Sequence, residues 1–317
     1  MRRQPVAASR ISHWPWTLPL ARHADGAKRL FQQSRMTVKS LKKVEIMIVK
    51  KSPIRIGIAG LGTIGRTLAK ALDDGIPGLT LSAIGARDEA KARASVSLKS
   101  NPVFTTAGLL AAHCDVVVEC APAALLSEIS TPVLTAGKTL IVLSSSALLS
   151  NMHLVTLAEE NGGQIIVPTG ALLGLDAVSA AAEGTIHSVK IITRKPVSGL
   201  LGADYLVENG IGIEGITEPK RIFSGNTREA AEGFAANLNV AVALSLAGIG
   251  PDRTTLEVWA DPGIERNIHR VEVVADSASF SMEIQNTPSE NPKSSQITAL
   301  SVIATLRKMS APLRVGT

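Results

Sequence analysis

The stretch IRIGIAGLGTIGRTLAKAL, residues 54 to 72, sets Gly60, Gly62 and Gly65 between an apolar run and a helix-like segment. Isoleucine recurs at Ile54, Ile56 and Ile58, and beyond the glycines Leu68, Ala69, Ala71 and Leu72 fall at the spacing of one helix face. The pattern reads as strand, tight turn, helix. In a dinucleotide-binding unit, Gly60 allows the turn, Gly62 lets a pyrophosphate reach the backbone, and Gly65 lets helix and strand pack closely. Phosphates then sit on the helix N-terminus, where free N–H groups and the macrodipole favour negative charge. A bare G-x-G-x-x-G is weak evidence, and the flanking strand and helix make it informative. Leu61, Thr63 and Ile64 complete the candidate cofactor loop.

From residue 53 onward apolar segments alternate with helical patterns: Ile54 to Ala59, Leu79 to Gly85, Val116 to Cys120, Thr139 to Leu143, and Ile165 to Pro168. This is the rhythm of a parallel, doubly wound sheet of Rossmann type, predicted for residues 53–170. At the tip of the second strand, Arg87 suits a 2′-phosphate and Asp88 a free ribose, so the two give a mixed message; a solvated loop charge is the bland alternative. After residue 170 the texture changes. Strand-like SVKIITRKPV is followed by a glycine-rich stretch, a helical stretch around Ala230 to Ala247, and strands at Thr255 to Ala260, His269 to Ala275 and Ser279 to Gln285. We expect a second, α+β domain for substrate and dimerisation over residues 171–285. A C-terminal helix over 286–317, with Ile297, Leu300, Ser301 and Ala304 on its apolar face, is expected to pack back on the first domain.

Charge is unevenly spread. The 317-residue chain has a net charge of +6, yet residues 1–52 hold 12 Lys and Arg against Asp25 and Glu45, leaving 21 basic and 25 acidic residues in the rest. The body is therefore mildly acidic. The basic leader lacks the apolar core of a secretory signal and imitates an organellar transit peptide, and its charge alone also allows a nucleic-acid or lipid arm. The favoured reading is an upstream start codon ahead of Met36 or Met47, with the segment disordered. No run of 18 apolar residues offers a membrane span. Cys114 and Cys120 fall in one predicted buried strand, too far apart along it to bridge, which implies reduced thiols and a cytoplasmic address.

Polar clusters follow in the second half: Thr193, Arg194 and Lys195 at a strand end, Asn237 and Asn239 ahead of a helix, Asn267 and His269 entering a strand, and Lys293 beside Ser294 and Ser295. Each has a structural alternative, since Asn and Ser cap helices and a lone His is more often structural. No H-E-x-x-H, C-x-x-C or G-x-S-x-G occurs, so metalloprotease, zinc-ribbon and α/β-hydrolase chemistry has no motif to stand on, and no metal is expected.

The segments GLGTIG, PTGALLGLDAVSAA, TRKPV, FAANLNVAVALSLAG, DPGIERNIHRVEV and NPKSS stand in the order and context of the L-aspartate dehydrogenases, and from about residue 54 the chain resembles that family. The resemblance implies a homodimer that oxidises L-aspartate with NAD or NADP to iminosuccinate, which hydrolyses to oxaloacetate and ammonia and feeds NAD biosynthesis. It makes His269 the catalytic residue and brings Ala171 and Asn239 to the cofactor, with Asn237 the competitor of Asn239; Ala121 joins the cofactor set. For the dicarboxylate, the available cations and donors are Thr169, Arg194, Lys195, Asn267, Lys293, Ser294 and Ser295. Ser146 stands where the family pattern has glycine. The expected partners are a small-molecule substrate and a second copy of the chain, with neither nucleic acid nor membrane. Two other readings of the same fold are a reductase with another substrate and a non-catalytic dinucleotide sensor.

Overall fold

The computed structural model describes residues 52–234, 238–289 and 295–316. Asn237, Lys293, Ser294 and the basic leader lie outside them. Six strands, β1 (Ile54–Ala59), β2 (Leu79–Gly85), β3 (Val103–Thr105), β4 (Val116–Glu119), β5 (Thr139–Val142) and β6 (Gln164–Ile166), form an all-parallel sheet in the order β3-β2-β1-β4-β5-β6. The strand order reverses between β1 and β4, the switch point at which such sheets open a crevice.

Both faces of this sheet are covered, which is why its central strands are near-continuous apolar runs. On one face Ile56, Ile58, Ile84, Val116, Val118 and Ile141 meet Leu68 and Leu72 of the helix Thr63–Asp73. On the other, Val117, Leu140 and Val142 meet Ile129 and Val133 of the helix Leu126–Thr135. Each fully buried Ile contributes roughly 1.5–3 kcal/mol. By contrast the Arg55–Asp115 ion pair at 2.7 Å is solvent-screened and adds little, so apolar burial decides the strand pairing.

Five further strands, β7 (Ile186–Pro196), β8 (Lys220–Asn226), β9 (Thr254–Asp261), β10 (Asn267–Ala275) and β11 (Ser279–Asn286), make a second sheet in the order β11-β10-β7-β9-β8. It is antiparallel except for the β7–β9 pair. Its inner face buries Val189, Ile191, Leu256, Val258, Val271 and Val273 against the helices Leu175–Ala182, Thr227–Gly233 and Asn239–Ala247. The outer face is left to charged side chains and Trp259. Both sheets belong to one compact unit.

Several expectations are corrected. The helical stretch around 230–247 is two helices, because Gly233 abuts the Tyr205 ring and Phe234 joins Tyr205 and Phe223 in an aromatic cluster with centroids 4.5 and 5.8 Å away. Cys114 lies before β4 rather than in it, and both cysteines are free. The C-terminal helix Gln296–Ser310 buries Ala299, Val302 and Leu306, while Ile297 and Leu300 are exposed. Two apolar stripes compete on that helix, and the stripe that joins the core beside helix Thr63–Asp73 prevails, with Val302 and Leu306 entering the first core.

Candidate active site

The cofactor turn follows from steric constraints at its glycines. Gly60 has a φ of +97°, and a side chain there would come within 2.8 Å of the Cys120 carbonyl. A side chain at Gly65 would run into the Gly60 carbonyl, so the helix can approach the strand only without one. Gly62 differs: a side chain there meets no protein atom within 4 Å, so this space is open to a ligand. The helix Thr63–Asp73 that starts here has no side-chain cap and no acid in its first turn. Open room, an uncapped N-terminus and no competing carboxylate fit a dinucleotide pyrophosphate. Arg66, absent from the expected set, sits at the same turn and donates to the Leu61 carbonyl at 3.2 Å.

At the tip of β2 the two charged residues have different surroundings. Asp88 accepts the Lys91 N–H at 2.9 Å and N-caps the helix Glu89–Ala94, so its carboxylate is engaged. Arg87 is exposed beside it.

A cleft opens where the C-terminal ends of β4 and β5 and the Pro168–Ala171 turn face the second sheet. Ile64, Ala121, Thr169, Ala171, Asn239, Lys195, Asn267, His269 and Ser295 all line it. Its floor is fixed by Glu119, almost fully buried, which accepts hydrogen bonds from the N–H groups of Ala121 (3.1 Å), Leu143 (3.1 Å) and Ser144 (2.9 Å) and from the Ser144 hydroxyl (3.1 Å). Burial raises the Glu119 pKa, and these bonds oppose the rise.

The second sheet reaches this cleft by a change of texture along one face. Alternation puts Val189, Ile191, Thr193 and Lys195 of β7 on the inner face, and Val273, Val271, His269 and Asn267 of β10 beside them. Apolar where its own helices cover it, that face turns polar where it meets the first half. His269 is 3% exposed and its Nδ1 lies 3.0 Å from the Thr193 hydroxyl. Burial, reinforced by the charge of Lys195, pushes the imidazole down to about 3. Lys195, 7% exposed, is lowered by burial to about 8.

Arg194 is not brought to the site. One residue along the strand, it faces the opposite side, 3.1 Å from Asp261 and over the Trp259 ring at 5.6 Å. Asn239 opens its helix without capping it: its Oδ1 accepts the Ser146 N–H at 3.0 Å and its carbonyl accepts the Ser145 hydroxyl at 2.7 Å. Ser146 thus joins the two halves through its backbone. Three residues outside the expected set belong here. Thr298 lines the cleft from the C-terminal helix, and Thr193 pairs with His269. Asn286, 3% exposed, donates to the Ala171 carbonyl at 2.9 Å and so fixes the Thr169–Ala171 turn. The TRKPV cluster contains Thr193 without giving it a role, and alternation along β7 is what sets it and Lys195 apart from Arg194; nothing local marks Asn286. Among the described residues no cluster of His, Cys, Asp or Glu could hold a metal, and no helix is long and apolar enough to cross a membrane.

Comparison with known proteins agrees with this division of labour. Residues 60–168 match the family described as homoserine dehydrogenase, NAD binding domain, and residues 176–309 match aspartate dehydrogenase, C-terminal. The chain is 58% identical over 267 residues to an L-aspartate dehydrogenase of Bradyrhizobium diazoefficiens, covering 84% of this chain and 95% of that one. It is 55% identical over 269 residues to L-aspartate dehydrogenase 3 of Bordetella bronchiseptica, covering 84% and 99%. The fold matches the crystal structure of an aspartate dehydrogenase from Thermotoga maritima with a TM-score of 0.62 at 24% identity, over 83% of this chain and 99% of that one. An NAD-binding domain joined to an aspartate dehydrogenase C-terminal domain, with over half of the aligned residues identical to those of two such enzymes, places the chain in the L-aspartate dehydrogenase family.

Proposed function

We propose that the protein oxidises L-aspartate, with NAD or NADP, to iminosuccinate, which hydrolyses to oxaloacetate and ammonia, and that it does so as a cytoplasmic homodimer. The observation that carries this reading is the pairing of one buried imidazole with one buried ammonium, His269 and Lys195, on the face that looks into the dinucleotide cleft.

Lys195 is the one Lys or Arg that lines the cleft among the described residues, and it suits one carboxylate of the substrate. The N-terminus of the 15-residue helix Gln296–Ser310, with Ser295 and Thr298 at the cleft and no acid in its first turn, suits the other. Asn267 adds a hydrogen-bonding amide. When bound, NAD or NADP would supply the hydride acceptor; Gly62, the N-terminus of helix Thr63–Asp73 and Arg66 would hold its pyrophosphate, and Ala121, Ala171 and Asn239 are the residues that would meet it in the cleft. Neutral His269 takes the proton of the substrate amine and later activates water on the imine carbon. A bound dicarboxylate offsets the charge of Lys195, the lesser of the two causes after burial that lower the imidazole, and so acts to raise it. The enclosed setting holds the α-carbon in place while these steps occur.

Support for the dimer is the uncovered outer face of the second sheet, where Trp259 lies under Arg194 and Arg221 and Val274 is 44% exposed. Free Cys114 and Cys120 support a reducing compartment. The deciding experiment offers a panel of amino acids with NAD or NADP, and oxo-acids with ammonia and the reduced cofactor, followed by nicotinamide absorbance. Aspartate and oxaloacetate are the expected pair, and activity confined to another member overturns the substrate assignment. Light scattering at about twice the 33.2 kDa chain mass checks the dimer.

A further inference from the structure

β7 and β10 run antiparallel, and Thr193 and His269 stand directly opposite one another in that ladder. Both are almost wholly buried, at 2% and 3% exposure, with the hydroxyl 3.0 Å from Nδ1. With Nδ1 engaged there, Nε2 is the nitrogen left for the cleft. A neutral ring holds one proton, and the nitrogen that carries it decides whether the cleft meets a base or a donor.

We infer that Thr193 is a positioning residue whose Oγ1 accepts the Nδ1–H of neutral His269, selecting the tautomer that turns an unprotonated Nε2 toward the substrate amine. The inference rests on the acid/base reading of His269 given above. An isolated histidine favours the other tautomer, with its proton on Nε2, which would present a donor to the amine and block proton uptake. Something must therefore select against it.

The ladder supplies an acceptor that the Nδ1–H tautomer can use in a buried site. Cross-strand neighbours are set by backbone register, and threonine is stiff at χ1, so the oxygen is aimed by the strand rather than by a flexible side chain. Carboxylates and carbonyls orient histidines in the same manner in other sites. A hydroxyl can accept as well as donate, and beside a ring that works as a base through Nε2 it is the acceptor of the Nδ1–H, an uncharged one that does little to favour imidazolium. Burial and Lys195 act in the same direction, since they keep the ring neutral down to about pH 3. Among the described residues, the titratable groups that share the cleft with His269 are Lys195 on β7 and Glu119 and Cys120 at the end of β4.

The test compares Thr193→Val, which keeps shape and strand preference but removes the oxygen, with Thr193→Ser, which keeps the oxygen. In the full chain labelled with ¹⁵N-histidine, the His269 resonances report the tautomer, alongside aspartate kcat and KM, NADH affinity and melting temperature. Wild type and the Ser variant should show Nδ1–H, and the Val variant should lose it. The Val variant should lose on the order of 10- to 100-fold in kcat, at or below the low end of the range for a proton-transfer group because the imidazole itself remains, with KM and NADH affinity within about twofold of wild type. The Ser variant should recover kcat to within about threefold. A wild-type ring protonated on Nε2, or a Val variant with undiminished kcat, overturns the inference. So does an equal loss of stability and cofactor affinity in both variants. His269→Ala separates the two readings: full turnover there defeats the acid/base role itself, whereas an inactive His269→Ala beside a fully active Thr193→Val defeats only the tautomer assignment.

Discussion

The parallel sheet and the mixed sheet equip one cleft by opposite means. The first works through backbone: three glycines clear the turn, and a helix N-terminus offers uncapped amides. The second works through side chains on a single strand face, where Thr193, Lys195, His269 and Asn267 continue the line of Val189, Ile191, Val271 and Val273. Backbone sites depend on the absence of side chains and tolerate neighbours of many kinds. Side-chain sites on a strand depend on parity, so that adjacent Arg194 and Lys195 have unrelated surroundings.

Removing the imidazole tests the division most severely. His269→Ala should lose two to four orders of magnitude in turnover while NADH, held by the first sheet, still binds; a parallel loss of NADH affinity would break the comparison. The same residue links stability to pH. Its folded pKa of about 3 lies below the ordinary 6.5, so the unfolded chain binds the extra proton between them. Stability from the neutral ring is complete above pH 6.5 and is lost as pH falls toward 3. Melting temperature should therefore decline with acidity in wild type and less steeply in His269→Gln.

Parity is tested next. Lys195→Met should raise the aspartate KM by on the order of 10- to 100-fold, the worth of about 1.5–3 kcal/mol for a hydrogen bond to a charged group. Arg194→Met should leave kcat/KM unchanged and cost at most about 1 kcal/mol of stability, because its ion pair with Asp261 leaves the guanidinium 43% exposed. Since burial holds Lys195 near 8, affinity for a non-reacting dicarboxylate such as succinate should weaken as pH rises above that value. The Met variant should lose that dependence. Equal effects of the two substitutions would refute the alternation argument.

Two smaller effects sharpen the backbone side. Gly62→Ala should fold normally yet weaken NADH binding by about 1–3 kcal/mol in a fluorescence titration, as overpacking does, whereas Gly65→Ala should damage the fold itself. Arg87→Ala should weaken NADP by about 1 kcal/mol and spare NAD, since Asp88 is held in its helix cap. An identical loss for both cofactors would remove Arg87 from the ribose end.

Much of this was legible in the sequence, unevenly. The glycine turn and the alternating strands follow from local rules, because steric exclusion at Gly60 and apolar runs in a doubly covered sheet leave direct traces. The position of Lys195 was legible as chemistry but not as orientation, since strand alternation needs a fixed phase before it separates Lys195 from Arg194. Asn286 left no trace: it matters because β11 brings it to Ala171, 115 positions earlier in the chain. The helix cap formed by Asp88 was not separable in sequence from a role at the ribose, because an acid at a strand tip suits either.

The helix Gln296–Ser310 has a consequence for how the molecule is made. Val302 and Leu306 sit in the same core as Ile56, Ile58 and Leu68, although the rest of that core ends at Ile141. During synthesis, at about 5–20 residues per second, the nucleotide-binding half must wait tens of seconds at the slower rates for its final packing layer while the second sheet is translated. Its assembly is therefore not vectorial. The earliest half of the fold is closed by a helix that follows the whole second sheet in the chain, and until that helix is made the surface that Val302 and Leu306 cover is open.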